Sequence, residues 1–319
     1  MRSVVLMLHA LMLHAAVALA AADPDLDAVL AQVQAHARSA GEPLFAGYGS
    51  APFGLLLELD GQEVLLCHKA VKGFTPGPVD AATGCTRQLR AGRHFSDKLL
   101  AAMPALDDEA VIVMGTPETT GRTRGQWIRT LYHEHFHQYE FSLPHYYDRV
   151  QALGLAGGDK TGMWMLNYPF PYKDAKAQEL YRIAAKALAD AVEARGTPKF
   201  STLTAAYLQA REAFAASVPQ PAWRYFEFQL WNEGTARWIE IALGKTDSNP
   251  DVKQAAEQLE RDSVGQLRTQ GLGERGREVV YAYGAAEAML MESCGAGWRT
   301  EFPQVLELGS LLRQHLCVR

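Results

Sequence analysis

The chain has no surplus of basic residues. Its 31 Lys and Arg stand against 36 Asp and Glu, a formal charge of −5. That removes the electrostatic footprint of a nucleic-acid binder, and no polybasic run points to an anionic membrane surface. After residue 22 no segment reaches the roughly 20 apolar residues that a membrane-spanning helix needs. Internal repeats and low-complexity tracts are also lacking there. No Pro/Gly/Ser-rich linker divides the chain, so one domain is expected over residues 23–319. Cysteine is scarce, at four residues. None has the CxxC spacing of a structural zinc site.

The one long apolar run, Val4 to Ala20, is broken only by His9 and His14. Arg2 precedes it, and the small residues Ala20, Ala21 and Ala22 end it. This is the layout of a secretory signal peptide over residues 1–22, with cleavage near Ala20–Ala22. An uncut anchor is the alternative, and the run is short for that. The expected location is therefore secreted or periplasmic, without stable membrane insertion after cleavage. An even cysteine count in an exported chain suggests disulfides. Four cysteines permit three pairings. Cys67–Cys85 with Cys294–Cys317 closes the two shortest loops and is the expected one.

The order of patterns predicts an α+β fold, β-rich over 44–115 and mainly helical over 120–319. Phe53–Leu59, the turn pair Asp60-Gly61 and Glu63–Cys67 read as a hairpin. Helices are expected near 23–40, 125–141, 173–195, 202–217, 221–243, 250–268, 277–293 and 303–315.

The chemistry is carried by His133-Glu134-x-x-His137. Positions i and i+4 share one face of a helix, so two imidazoles can converge on one ion. Glu134 lies about 100° round the helix from His133. It can reach a water acidified by the metal without being a ligand. His135 is about 200° from His133 and is expected to face away. His145 and Asp148 lie close in sequence without a supporting pattern. The extended HExxHxxGxxH motif is excluded by Glu140 and Leu143.

Two later segments carry a resemblance. Asn232-Glu233-Gly234-Thr235-Ala236 begins its Glu 96 residues beyond His137, and Tyr281-Ala282-Tyr283-Gly284-Ala285 follows. With the HExxH segment they resemble gluzincin zinc metallopeptidases, especially the aminopeptidase-N-like branch. The resemblance implies a zincin-like catalytic part, Zn2+ as cofactor and Glu233 as third ligand. It also implies that Gly234 lets the second helix approach the first, and that Tyr281 steadies an oxyanion. Tyr283 is then a packed neighbour, and Glu240 is given no role. The match covers three short segments. The family's gap between second His and Glu is far shorter, so residues 143–220 read as an insertion. Its Gly-x-Met-Glu-Asn segment is absent. Val113–Glu118 stands upstream instead and could be an edge strand that pairs with an extended substrate. The aromatic stretch Met163–Tyr172 is either a cleft wall or a packed loop.

The expectation is a zinc hydrolase acting on peptide or protein substrates. The alternatives are an exported metal-binding or interaction protein without catalysis, or a hydrolase of a non-peptide ester or amide.

Overall fold

The computed structural model describes residues 24–317 apart from 60, 82, 107 and 108. The segment expected to be a signal peptide and the expected turn residue Asp60 lie outside the described residues.

The fold is α+β, as the order of patterns predicted. Helix α1 (Pro24–His36) precedes six strands: β1 (Leu55–Leu59), β2 (Gln62–Leu66), β3 (Thr75–Val79), β4 (Thr86–Ala91), β5 (Leu100–Leu106) and β6 (Glu109–Gly115). They form one sheet in the order β3-β4-β2-β1-β6-β5. The hairpin is real, with Leu55 opposite Leu66 and Leu59 opposite Gln62. β1 and β6 run parallel, and β5 runs antiparallel to β6. The period of two divides the apolar residues between two faces. Leu55, Leu57, Val64, Ile112 and Met114 join the main core, while Leu56, Leu65, Val111 and Val113 form a smaller one under Phe74 and Leu106.

One expectation is corrected here. Val113–Glu118 is not an edge strand. β6 lies between β1 and β5, and the short helix α2 (Pro117–Thr120) follows it. The edge is β5.

Helix α3 (Arg124–Ser142) crosses the main face of the sheet. A capping box fixes its start: the Thr123 hydroxyl accepts from Gln126 N–H, and the Gln126 side chain accepts from Thr123 N–H. Two contacts set its direction. Trp127 Nε1 donates to Gly115 O at 2.8 Å, and Gln138 Nε2 donates to Gly54 O at 2.8 Å. α3 therefore runs opposite to β6 and in the same direction as β5.

The expected insertion forms α4 (Tyr146–Ala152), α5 (Trp164–Asn167), α6 (Ala175–Glu193) and α7 (Phe200–Ala215). The expected helix over 221–243 is three pieces: α8 (Gln220–Gln229), a π-turn (Leu230–Gly234) and α9 (Thr235–Thr246). α10 (Pro250–Thr269), α11 (Leu272–Arg275) and α12 (Val279–Cys294) follow. The expected helix at 303–315 is also broken. α13 (Gly297–Glu301) and a 3-10 turn containing Pro303 precede α14 (Leu308–His315), because Pro offers no N–H to continue a helix. The disulfides are Cys67–Cys85 and Cys294–Cys317. Among the described residues, no helix is long and apolar enough to cross a membrane.

Candidate metal centre

One turn of α3 sets His133 above His137, and their Nε2 atoms stand 3.1 Å apart. The π-turn returns Glu233 to them. Its Oε2 is 3.5 Å from His133 Nε2 and 3.3 Å from His137 Nε2. A π-turn widens a helix by one residue and often marks a functional position. Here it turns Glu233 toward α3 while Leu230 and Trp231 stay buried.

The three atoms fit a metal. Tetrahedral coordination with bonds of 2.0–2.1 Å separates neighbouring ligand atoms by about 3.3–3.4 Å. The observed sides of the triangle are 3.1, 3.3 and 3.5 Å. Both rings also have a carboxylate behind them. His137 Nδ1 is 2.7 Å from Glu140 Oε2, and His133 Nδ1 is 3.4 Å from Glu240 Oε2. With its proton on Nδ1, each neutral ring would turn an Nε2 lone pair toward the Glu233 oxygen and could bind a cation there. These three atoms could hold a cation between them. Two imidazoles with one carboxylate suit a transition metal such as zinc better than calcium or magnesium.

Charge around the triangle follows from burial and neighbours. Burial lowers the His137 pKa, but Glu233 and Glu140 outweigh it and hold it well above the ordinary value. Burial raises Glu233, yet His137, His133 and Arg277 keep it well below the carboxylate range. Burial pushes Glu140 up to about 7 against His137 and Asn232. Burial raises Glu240, and Arg237, Arg129 and His133 bring it down to about 2.

Glu134 is buried beside the triangle and is not one of its corners. Burial raises its pKa, and His133 and His137 partly offset that. Its Oε2 accepts a 2.7 Å hydrogen bond from Ala102 N–H on β5. The carboxylate therefore lies between the triangle and the edge strand.

Tyr281, on α12, stacks on His133 with ring centres 5.9 Å apart. Its hydroxyl accepts from Arg277 at 3.1 Å, and the same guanidinium donates to Glu233 Oε1 at 3.0 Å. Tyr283 is fully buried against Tyr181, Tyr207 and Phe226, away from the triangle.

The structure thus brings His133, Glu134, His137, Glu233 and Tyr281 together. His135 faces the opposite way, against Tyr48 and Phe53. His145 is exposed beside Asp148. The stretch 163–172 is mainly a packed loop: Trp164 and Phe170 are buried, and Tyr168 stacks on Tyr225 at 4.3 Å. Gly234 serves a different contact from the one expected. A Cβ there would stand 2.5 Å from the Gly284 Cα, so the close neighbour is α12 and not α3.

Sequence reasoning missed Arg277, Asn232 and Glu140. Asn232 donates to Glu140 Oε2 at 2.7 Å and so holds the carboxylate behind His137. The Asn of the Asn-Glu-Gly segment was the available signal. Glu140, three residues after His137, could have been read from helical spacing. Arg277 precedes α12 in a 3-10 turn, and no motif marks it. Beyond His137, the rings of Phe141 and Tyr147 line a groove of about 360 Å³ beside the first residues of β1 and β6.

Comparison with protein-family profiles, curated proteins and solved structures gave no match.

Proposed function

We propose that this chain is an exported zinc-dependent hydrolase that cleaves peptide bonds. One observation carries the reading. A three-cornered ligand set has a buried carboxylate that is not a ligand beside it, and that carboxylate is hydrogen-bonded to an open sheet edge. A structural zinc site is closed by four protein ligands, whereas three protein ligands leave a position for chemistry.

Bound zinc would supply Lewis acidity toward a carbonyl oxygen and toward water. Glu134 takes a proton from the attacking water and delivers it to the leaving amine. A raised carboxyl pKa suits that double use. The Tyr281 hydroxyl accepts from Arg277, which leaves its own proton free to meet a developing oxyanion. An extended substrate has the outer edge of β5 to pair with, where the Ala102 N–H points away from β6 toward Glu134. Two disulfides support export, because such bonds persist in oxidising compartments.

The test joins metal uptake to activity. The purified chain is expected to take up one zinc and to cut peptides in a generic pool. No zinc uptake at equimolar supply sinks the metalloenzyme reading. Zinc uptake without cleavage of any peptide sinks the peptidase reading.

A further inference from the structure

We propose that Arg237 forms an anion subsite that binds the C-terminal carboxylate of the substrate on the leaving side of the scissile bond. The inference rests on the peptidase reading above and names its substrate class: peptides with a free C-terminus one or two residues beyond the cut.

Arg237 lies one helical turn after Glu233 and points into the same site. Its guanidinium sits 5.1 Å above the Tyr281 ring, and Arg277 stands 5.5 Å from that ring. Arg277 is spent, since its nitrogens donate to Glu233, Gln229 and Tyr281. Arg237 is not. Only its Nε approaches a carboxylate, Glu240 Oε2 at 3.1 Å, and among the described residues its two terminal nitrogens meet no acceptor. Glu240 is shared as well, with Arg129 Nε at 3.1 Å and His133 Nδ1 at 3.4 Å. One carboxylate between two guanidiniums leaves positive charge over. A partly exposed guanidinium with both terminal nitrogens free offers the two-pronged fork that a carboxylate fits.

The topology supplies the direction. β5 runs with α3, from the Arg129 end of that helix toward the Phe141 end. A peptide laid antiparallel on β5 therefore runs from the Phe141 end of α3, past Glu134, toward Arg129. Glu240 touches both His133 and Arg129, which puts its neighbour Arg237 on the downstream side of the triangle. The end of the peptide that reaches Arg237 is its C-terminus.

The test uses the zinc-loaded full chain carrying Glu134→Gln, so that bound peptide stays intact. Three N-terminally labelled probes are titrated by fluorescence anisotropy: tetra-alanine with a free carboxylate, its C-terminal amide, and an amide whose last residue is glutamate. The free acid is expected to bind about tenfold tighter than its amide, the scale of one charge-assisted hydrogen-bond pair. Arg237→Gln, which keeps side-chain bulk beside Glu240, and Arg237→Ala should both abolish that ratio while zinc content holds. Equal binding of acid and amide overturns the subsite, as does a preference that survives both substitutions. Tight binding of the glutamate amide reassigns the anion to an acidic side chain and overturns the terminal assignment. N-acetylglycine, titrated by calorimetry into zinc-loaded chains, separates the two readings. If no peptide binds, but N-acetylglycine binds the wild type about tenfold tighter than Arg237→Ala, the peptidase reading fails and the subsite stands. If N-acetylglycine binds both alike, the subsite falls.

Discussion

Gly234 and Gly284 meet backbone to backbone where the π-turn crosses α12. A Cβ on Gly234 would lie 2.5 Å from the Gly284 Cα, and one on Gly284 would lie 2.7 Å from both the Gly234 Cα and the Leu230 carbonyl oxygen. Neither residue has a positive φ, so the demand is for space and not for a special backbone conformation. The contact sets Glu233 beside Tyr281 and Arg277, which lie on and just before α12. It therefore couples the third corner of the triangle to the phenol.

Gly284→Ala should separate the two backbones and shift Glu233. Overpacking of this kind costs about 1–3 kcal/mol. For a chain of this size that lowers the Tm by roughly 2–10 °C. Zinc affinity, read by chelator competition, should fall with it. Gly265→Ala is the control, since a Cβ there meets nothing within 4 Å. It should keep zinc affinity and raise stability slightly through helix propensity. Wild-type affinity and Tm in Gly284→Ala would show that the contact does not position Glu233.

Glu134→Gln should keep zinc and lose hydrolysis, because the role proposed for the residue is to move a proton and it is not a corner of the triangle. Glu233→Ala should lose zinc affinity as well as activity. Elemental analysis after dialysis against limiting zinc, beside a peptide-cleavage assay, separates the two. Equal zinc loss in both variants, or full activity in Glu134→Gln, would mean that the roles are wrongly assigned.

The parts of the site that could be read from the sequence are those written in local spacing. His133, Glu134 and His137 share one helix, so the helix period was enough. Glu233 and Tyr281 are remote, and short segments resembling a known family marked them. What stayed hidden depends on tertiary packing. The edge strand β5 reads Leu-Ala-Ala-Met-Pro-Ala-Leu, without the β-branched residues that mark a strand, whereas Val111–Met114 has them and lies inside the sheet. The π-turn at Leu230–Gly234 interrupts a segment whose apolar pattern continues through it. Arg277 touches Glu233 and Tyr281 from a turn with no pattern of its own.

Away from the candidate metal centre, Glu58 on β1 faces Glu63 on β2, and both are buried. Glu63 pairs with Arg90 and accepts from His94 N at 2.9 Å, with His94 Nδ1 3.0 Å away. Among the described residues, the cation that faces Glu58 is Arg93, with Nε 3.8 Å away, and Arg93 is itself paired with Asp97 at 2.8 Å. Burial and then Glu63 push the Glu58 pKa up to about 7. The folded chain thus keeps a proton that the unfolded chain has already lost. Glu58 therefore stabilises the fold fully below its unfolded value of about 4.3, and that contribution is lost as pH rises through about 7. Glu63, held low despite burial by Arg90, Glu58 and His94, loses its own contribution on the acid side, below the ordinary carboxylate range. Glu58→Gln should match the wild-type Tm near pH 4 and exceed it near pH 8, by about 2–4 °C for each kcal/mol relieved. Parallel melting curves across that range, with no pH-dependent difference, would remove Glu58 as the cause.

The last prediction concerns how Arg277 and Tyr281 work together. Arg277 donates to the phenol oxygen at 3.1 Å and to Glu233 Oε1 at 3.0 Å, so one guanidinium holds two of the proposed working groups. A hydroxyl that already accepts from a cation is a stronger donor and is fixed in direction. Loss of a single oxyanion donor costs about a hundredfold or more in kcat. Tyr281→Phe should show that loss with zinc content intact, because the ring still stacks on His133. Arg277→Lys keeps the charge but loses the fork, so it cannot hold both partners. It should lower kcat by about tenfold and leave KM nearly unchanged, the sign of an interaction made in the transition state. A purely structural role for Arg277 would lower the Tm and zinc content without that kinetic split. Tyr283→Phe is the control, since its ring is buried away from the triangle and only stability should respond. The decisive comparison is the double variant. If Arg277 acts through the phenol, Tyr281→Phe with Arg277→Lys should be no slower than Tyr281→Phe alone. Multiplied losses would mean that Arg277 meets the substrate or Glu233 on its own account.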